Sequence, residues 1–112
     1  VNDSDLFDLK HDSGGSVDVE FCVQYLLLRH VTAHPELADN VGNIALLQRA
    51  GAAGLIPVDL AATAADAYRE LRRQQHAIKL SGAQFARVPL PAVENVRDAV
   101  KTLWAQVMGA SI

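Results

Sequence analysis

Between Val17 and His34, apolar side chains recur at helical spacing on nearly every side of the chain. Val17, Phe21, Tyr25 and Leu28 make one stripe, and Val19, Cys22, Val23, Leu26 and Leu27 widen it. The pattern predicts a first helix over 17–34, ended by Pro35. A helix so broadly apolar belongs at the centre of a bundle. Ser16 is the expected cap, because its hydroxyl can accept from an orphan backbone N–H. A second helix is predicted over 41–50, with Asp39 or Asn40 as cap and Ile44, Leu46 and Leu47 inward. Gly51 and Gly54 in "AGAAGLIP" permit the positive φ of a helix stop, and Pro57 suits a new first turn. A third helix follows over 57–80, with Leu60, Ala64, Ala67, Leu71 and Ile78 in step, Gln74 interrupting and Ser81-Gly82 closing. A fourth covers 91–108, where Val93, Val96, Val100, Leu103, Trp104 and Val107 form a stripe opposite Glu94, Arg97, Asp98 and Lys101.

Ahead of the first helix, residues 1–15 read as an extended arm. Asp3, Ser4 and Asp5 are expected in solvent, Leu6, Phe7 and Leu9 offer little apolar surface, and Gly14-Gly15 breaks regular structure. With no convincing strand, the expected fold is all-α: an antiparallel up-down four-helix bundle over 16–112 carrying that N-terminal arm. A chain of 112 residues is one domain at most. Half of it is hydrophobic but only 5% aromatic, which calls for an aliphatic, alanine-rich core. Ten basic residues against thirteen acidic ones leave a net charge of −3, without the cationic excess of a nucleic-acid binder. The apolar block Phe21–Leu28 is too short to span a bilayer. A single cysteine, Cys22, allows no intrachain disulfide and fits a reducing cytoplasm. A chain opening on Val1 reads as a piece of something longer.

Five groupings bear on chemistry. Asp18 and Glu20 could hold Mg²⁺ or share acid–base work, but residues two apart on a helix point in different directions, which favours helix N-terminal charge. Lys10 with Gly14 and Gly15 could cradle a phosphate. Their spacing is not that of a P-loop, and an ordinary turn is favoured. His30 and His34 have the i,i+4 spacing of a metal pair without a third ligand, and a helix C-terminus explains them better. Cys22, among apolar neighbours, reads as a buried thiol. Arg69, Arg73, His76 and Lys79, flanked by Arg72, form a basic stripe. Asp66 and Glu70 can pair with Arg69 and Arg73 at i,i+3, so the stripe is open to two readings, a solvated face or a docking face for an anionic partner.

The segment "FDLKHDSGGSVDVEFCVQYLLLRH" resembles the glutamine synthetase adenylyltransferases, whose pattern there is close to K-H-x-x-G-G-x-V-D-I-E-F-x-V-Q-Y. Lys10, His11, Gly14, Gly15, Val17, Asp18, Glu20, Phe21, Val23, Gln24 and Tyr25 match it. Weaker likeness continues through "HPEL", "ADNV" and "AYRELRRQQHAIKL", where Tyr68, Arg69, Leu71, Arg72 and His76 fit Y-R-x-L-R-x-x-x-H. Ser16, Ile56 and Gln75 depart from the family pattern. The "KHD…VDVEF" form resembles the adenylylating, C-terminal half of these two-headed enzymes, and "VKTLWAQVMGASI" looks like a natural chain end.

The resemblance implies a helical accessory domain of an enzyme that moves AMP from ATP to a tyrosine of glutamine synthetase, with glutamine synthetase and the PII signalling protein as partners. The family's G-S-x-x-D-x-D motif, whose aspartates hold Mg²⁺ against ATP, is not found; "NDSDLFD" (2–8) is only an echo of it. No catalytic residue, metal site or cofactor is therefore expected in this chain, and alone it is expected to be inactive. Lys10, Gly14, Gly15, Asp18 and Glu20 are expected near the junction with the parent's catalytic portion. Arg69, Arg72, Arg73, His76 and Lys79 form the candidate docking face. The competing expectation is a free-standing helical adaptor without an enzymatic parent.

Overall fold

The computed structural model describes residues 6–38, 41–83 and 86–109. It is a four-helix bundle: α1 (Ser16–His30), α2 (Asn43–Ala52), α3 (Val58–Leu80) and α4 (Glu94–Gly109). Each helix packs on the one that follows it, and α4 returns to α1. Short 3₁₀ turns, Pro35–Ala38 and Leu90–Val93, lead towards α2 and α4. None of the described helices is long and apolar enough to cross a membrane. Asp3, Ser4, Asp5, Asp39 and Asn40, named above, lie outside the described residues.

The all-α bundle expected from the sequence is borne out, and a small pair of strands adds to it. β1 (Leu6–Asp8) pairs antiparallel with β2 (Arg87–Pro89), matching Leu6 to Pro89, Phe7 to Val88 and Asp8 to Arg87. The Leu9 N–H extends the ladder by donating to Ala86 O at 2.8 Å. Phe7 is buried and Leu9 is 0% exposed, so this part of the arm is anchored on the bundle, while residues 10–13 are exposed. Burying two such side chains contributes about 1.5–3 kcal/mol each, enough to hold a short strand onto the bundle.

α1 is inverted relative to the expected stripe. Val19, Cys22, Val23 and Leu26 are buried, whereas Phe21 is 58% and Leu28 80% exposed. Phe21 instead meets Trp104 of α4, ring centroids 5.8 Å apart, at the solvent edge. The helix also stops at His30, four residues early. Pro35 disfavours helical geometry in the residue before it, and the chain tightens into turns over 31–33. The central element is α3, packed between α2 and α4, with Ala61, Ala64, Ala65, Ala67, Tyr68 and Leu71 buried.

Small residues set the α2–α3 spacing. A Cβ on Gly51 would lie 2.7 Å from the Ala61 Cβ, so this glycine serves close helix approach rather than the helix stop expected of it. Gly54 makes the stop, at φ +77°: its N–H donates to Gly51 O, and Leu55 N–H donates to Ala50 O, a Schellman closure. Gly82 closes α3 in the same way, through Lys79 O and Ile78 O. Leu47, Leu71, Leu103 and Val100, with no exposed surface, fill the space between the helices.

Candidate functional site

The loop joining β1 to α1 is organised by its own polar groups. Asp8 Oδ1 accepts from the backbone N–H of Lys10 (2.9 Å) and of His11 (3.0 Å), while Asp12 Oδ2 accepts from Asp8 N–H (2.8 Å). Partial burial raises the Asp8 carboxyl, but the two backbone donors, with His11 and Arg87 nearby, bring it below the usual aspartate value. Gly14 N–H donates to Asp18 Oδ2 at 2.8 Å, and Gly15 N–H to Asp12 O at 2.8 Å. Both glycine N–H groups that could have faced a phosphate are therefore spent within the loop. Gly15 is needed for a different close approach: a Cβ there would sit 2.8–2.9 Å from the carbonyl oxygens of Leu9, Lys10 and Asp12.

Ser16 does not cap α1. Gly15 occupies the cap position without a side-chain bond, and Ser16 is the first helical residue, fully buried. Its hydroxyl accepts from Gln75 Nε2 at 2.9 Å. Two of the departures from the family pattern, Ser16 and Gln75, are thus each other's partner. Their bond ties α3 to the loop.

That tie, between residues 59 apart in sequence, brings together two groups of side chains from distant parts of the chain. Lys10 and His11 from the loop, and Arg72, His76 and Lys79 from α3, line one open cleft of about 630 Å³, with Asp8 as its acid. All five basic or imidazole side chains are exposed. Arg72 bonds only the neutral Gln75 amide (3.3 Å), and neither it nor Lys10 or Lys79 makes an ion pair among the described residues. Arg69 and Arg73 behave differently. Arg69 pairs with Asp66 at 2.7 Å and Arg73 with Glu70, both along the helix. The Arg73 guanidinium, helped by the Gln74 amide, holds the Glu70 carboxyl down at about 2. The expected stripe of five thus divides into two paired arginines and three side chains that face Lys10.

The carboxylates of the first helical turns also part company. Asp18 turns back to Gly14, whereas Glu20 Oε2 accepts from Tyr68 O–H at 2.8 Å. Asn43 Nδ2 donates to the same hydroxyl at 3.1 Å, joining α1, α2 and α3. Burial and the Glu20 carboxylate raise the Tyr68 hydroxyl above the usual phenol value, which keeps it a donor. His34 Nδ1 lies 3.1 Å from Glu36 Oε1, and its ring stands edge-on to His30 with centroids 6.4 Å apart. No group of three or more His, Cys, Asp or Glu that could hold a metal occurs among the described residues. A divalent ion does not fit this donor set, since Asp18 and Glu20 serve separate structural bonds. Burial pushes the Cys22 thiol up to about 12, with Asp18 adding to the effect, so it is no nucleophile.

Comparison with known proteins agrees with the motif reading. The family model described as GlnD PII-uridylyltransferase matches residues 5–107. The chain belongs to this family. Among curated relatives, the bifunctional glutamine synthetase adenylyltransferase/adenylyl-removing enzyme of Bordetella bronchiseptica is 55% identical over 107 residues, covering 96% of this chain and 11% of the relative. The enzymes of the same name from Burkholderia mallei (49% identical, 97% of this chain, 12% of the relative) and Nitrosomonas europaea (45% identical, 96% and 13%) are similar. The chain therefore spans roughly a tenth of the length of the relatives it matches. The expected resemblance to glutamine synthetase adenylyltransferases holds along nearly the whole chain and well past the opening motif.

Of the cleft residues, Lys10, Arg72, His76 and Lys79 were legible as separate basic features, and His11 as part of the motif. Asp8 and Gln75 were not singled out for it. Their roles depend on strand pairing and a bond between distant elements, which no local pattern signals.

Proposed function

We propose that this chain is a helical accessory domain of a bifunctional glutamine synthetase adenylyltransferase/adenylyl-removing enzyme. In that enzyme AMP passes from ATP to a tyrosine of glutamine synthetase, in the cytoplasm. The observation that carries this reading is identity of about half over nearly the entire chain to enzymes bearing that name. Mg²⁺ and ATP would belong to the nucleotidyltransferase portion of that enzyme, as the family resemblance implies. This domain would then position the substrate protein or relay a regulator, with glutamine synthetase as the first partner and PII as a second.

Arg69, Arg72, Arg73, His76 and Lys79 are the proposed docking face, and Lys10, Gly14, Gly15, Asp18 and Glu20 the proposed junction with the catalytic portion. The loop's dense internal bonding supports the second role, because a rigid seam transmits position between domains. Reversing Arg69 and Arg73 to glutamate in the intact enzyme tests the docking face. The modification rate of glutamine synthetase should fall while the helical circular dichroism stays unchanged. Unaltered kinetics would remove the docking role. Incubating the 112-residue chain alone with labelled ATP, Mg²⁺ and glutamine synthetase should transfer no label; transfer would overturn the accessory reading.

A further inference from the structure

We infer that the outward face of α1, from Phe21 to Leu28 with Trp104 of α4 beside it, is an interdomain contact that packs against an apolar surface of another part of the same polypeptide. The inference rests on the reading of this chain as one domain of a longer enzyme. α1 is apolar on two opposite faces. Val19, Cys22, Val23 and Leu26 fill the bundle, while Phe21 and Leu28, two turns apart, stand on the reverse with half-buried Val17 and Tyr25. Positions 17, 21, 24, 25 and 28 of that reverse face carry no charge. The outer faces of α3 and α4 differ: they show Asp66, Arg69 and Arg73, and Glu94, Asp98 and Lys101, as a solvated face should. A helix apolar on all sides belongs in an interior, and the bundle covers only one side of this one.

Size and setting select the occupant. Phe21, Leu28 and Trp104 are 58%, 80% and 38% exposed, so at about 200 Å² per side chain they show about 350 Å² between them. An apolar patch of that size on a monomer is often a contact site. It is under half of the roughly 800 Å² per partner buried by a stable pair of separate chains. A tethered surface needs less, because the linker supplies an effective concentration of about a millimolar. In enzymes like the matched relatives, of which this chain spans 11–13%, most of the polypeptide is available as that tethered surface. The patch also runs into the proposed junction: Ser13 and Asp18, with Lys101 and Trp104, line a groove of about 380 Å³ at its end. A substrate protein that must leave after each turnover is met by a face no more apolar than ordinary surface. That describes the arginine stripe of α3 and not the reverse face of α1.

Leu80, at the end of α3, is the same residue type as Leu28 and is 75% exposed, so the two are matched probes. Hydroxyl-radical footprinting of the intact enzyme, read by mass spectrometry, compares their oxidation. A side chain packed in a contact keeps under about 10% of its surface, so Leu28 should oxidise at least about fivefold more slowly than Leu80. The ratio should hold on about a hundredfold dilution, as a contact within one polypeptide requires. Leu28→Asp in the intact enzyme places a charge in the contact and should raise Trp104 oxidation at least about twofold. Leu28 lies two turns from Phe21, the ring that Trp104 meets, so that rise is not the loss of Trp104's own neighbour. The inference fails if Leu28 and Leu80 oxidise alike, both fast or both slowly, or if Leu28→Asp leaves Trp104 unchanged. It fails equally if the protection of Leu28 is lost on dilution, which would assign the face to a second copy or a separate protein. Modification of glutamine synthetase by the same preparation tests the parent-enzyme reading separately. An active enzyme with Leu28 open overturns this inference alone, and an inactive one with Leu28 shielded overturns that reading alone.

Discussion

Replacing Gly15 with alanine separates two reasons for which a protein keeps a glycine. At φ −87° and ψ −176° its backbone is one that any residue adopts, so no torsional penalty applies. The obstacle is three carbonyl oxygens at 2.8–2.9 Å from the new methyl, where an ordinary C···O contact is about 3.3 Å or more. Each must retreat by about half an ångström. Leu9 O and Lys10 O meanwhile accept from Ser16 N–H (2.9 Å) and Val17 N–H (3.0 Å), and Asp12 O accepts from Gly15 itself. Overpacking costs about 1–3 kcal/mol, and each weakened hydrogen bond adds about 0.5–1. The stiffer unfolded chain returns about 0.5 kcal/mol, leaving a net loss of about 2–5. Gly54→Ala is the control. Its φ of +77° is strained for alanine, yet no atom lies within 4 Å, so the loss should stay near about 1 kcal/mol. Urea unfolding followed by circular dichroism, with a slope of about 2 kcal/mol per molar, should show a midpoint drop of about 1–2.5 M for Gly15→Ala and clearly less for Gly54→Ala. If Gly15→Ala unfolds with the wild type, or Gly54→Ala proves the more damaging, the crowding argument is wrong and the glycine pair must be kept for something outside the fold.

Three other outcomes follow from the same geometry. Val19→Ala should cost about 1.5–2.5 kcal/mol and Phe21→Ala under about 1, because only the first faces the core; urea midpoints that rank them the other way would restore the Phe21 stripe to the interior. Tyr68→Phe strips Glu20 and Asn43 of their shared hydroxyl and should cost about 1–2 kcal/mol, and a double-mutant cycle with Glu20→Gln should show coupling that an independent pair would lack. Glu70 has its carboxyl lowered in the folded state by Arg73, so its stabilisation is full above the unfolded glutamate value of about 4.3 and is lost as pH falls towards 2. Solvent screening limits it to about 0.5 kcal/mol, so the stability gap between wild type and Glu70→Gln should close by about that amount from pH 6 to pH 2, and a gap that widens on acidification would contradict the pair.

Helix existence was legible from spacing and helix orientation was not, and α1 shows why. Its two candidate stripes, 17/21/25/28 and 19/22/23/26, have the same period and both are apolar. What distinguishes them is fit. Val19, Cys22, Val23 and Leu26 turn to the core, while Phe21 finds Trp104 at the edge and Leu28, the same residue type as buried Leu26, stays exposed. The strands escaped notice for a different reason. Three-residue elements carry almost no periodic signal, and Leu6–Asp8 is a strand only because Arg87–Pro89 comes to lie beside it. Terminating signals were read well where one residue must adopt positive φ, as at Gly54 and Gly82. They were read less well where two roles for glycine compete, as at Gly51. The basic residues were visible as types, but the partition of the α3 stripe depends on acids at i−3: Asp66 and Glu70 exist for Arg69 and Arg73, and Arg72 and Lys79 have none.

The cleft and the core are consequently not independent parts of this molecule. Phe7 and Leu9 anchor the arm by burial, the strand pair sets the direction in which the chain leaves them, and the loop returns through Gly14 and Gly15 to start α1. Lys10 is therefore held at the cleft by the same three carbonyl-centred contacts that forbid a side chain at Gly15. Gln75 closes the circuit: its amide donates to buried Ser16 on one side, while its neighbours Arg72, His76 and Lys79 line the opening on the other. A half-buried donor on a fully buried acceptor resists separation, since parting them strands the Ser16 hydroxyl in the interior. The distance between the two walls is thus set by packing and by the Gln75 amide, which donates to Ser16 Oγ at 2.9 Å and more weakly to Leu9 O at 3.5 Å, not by the cations that line the opening.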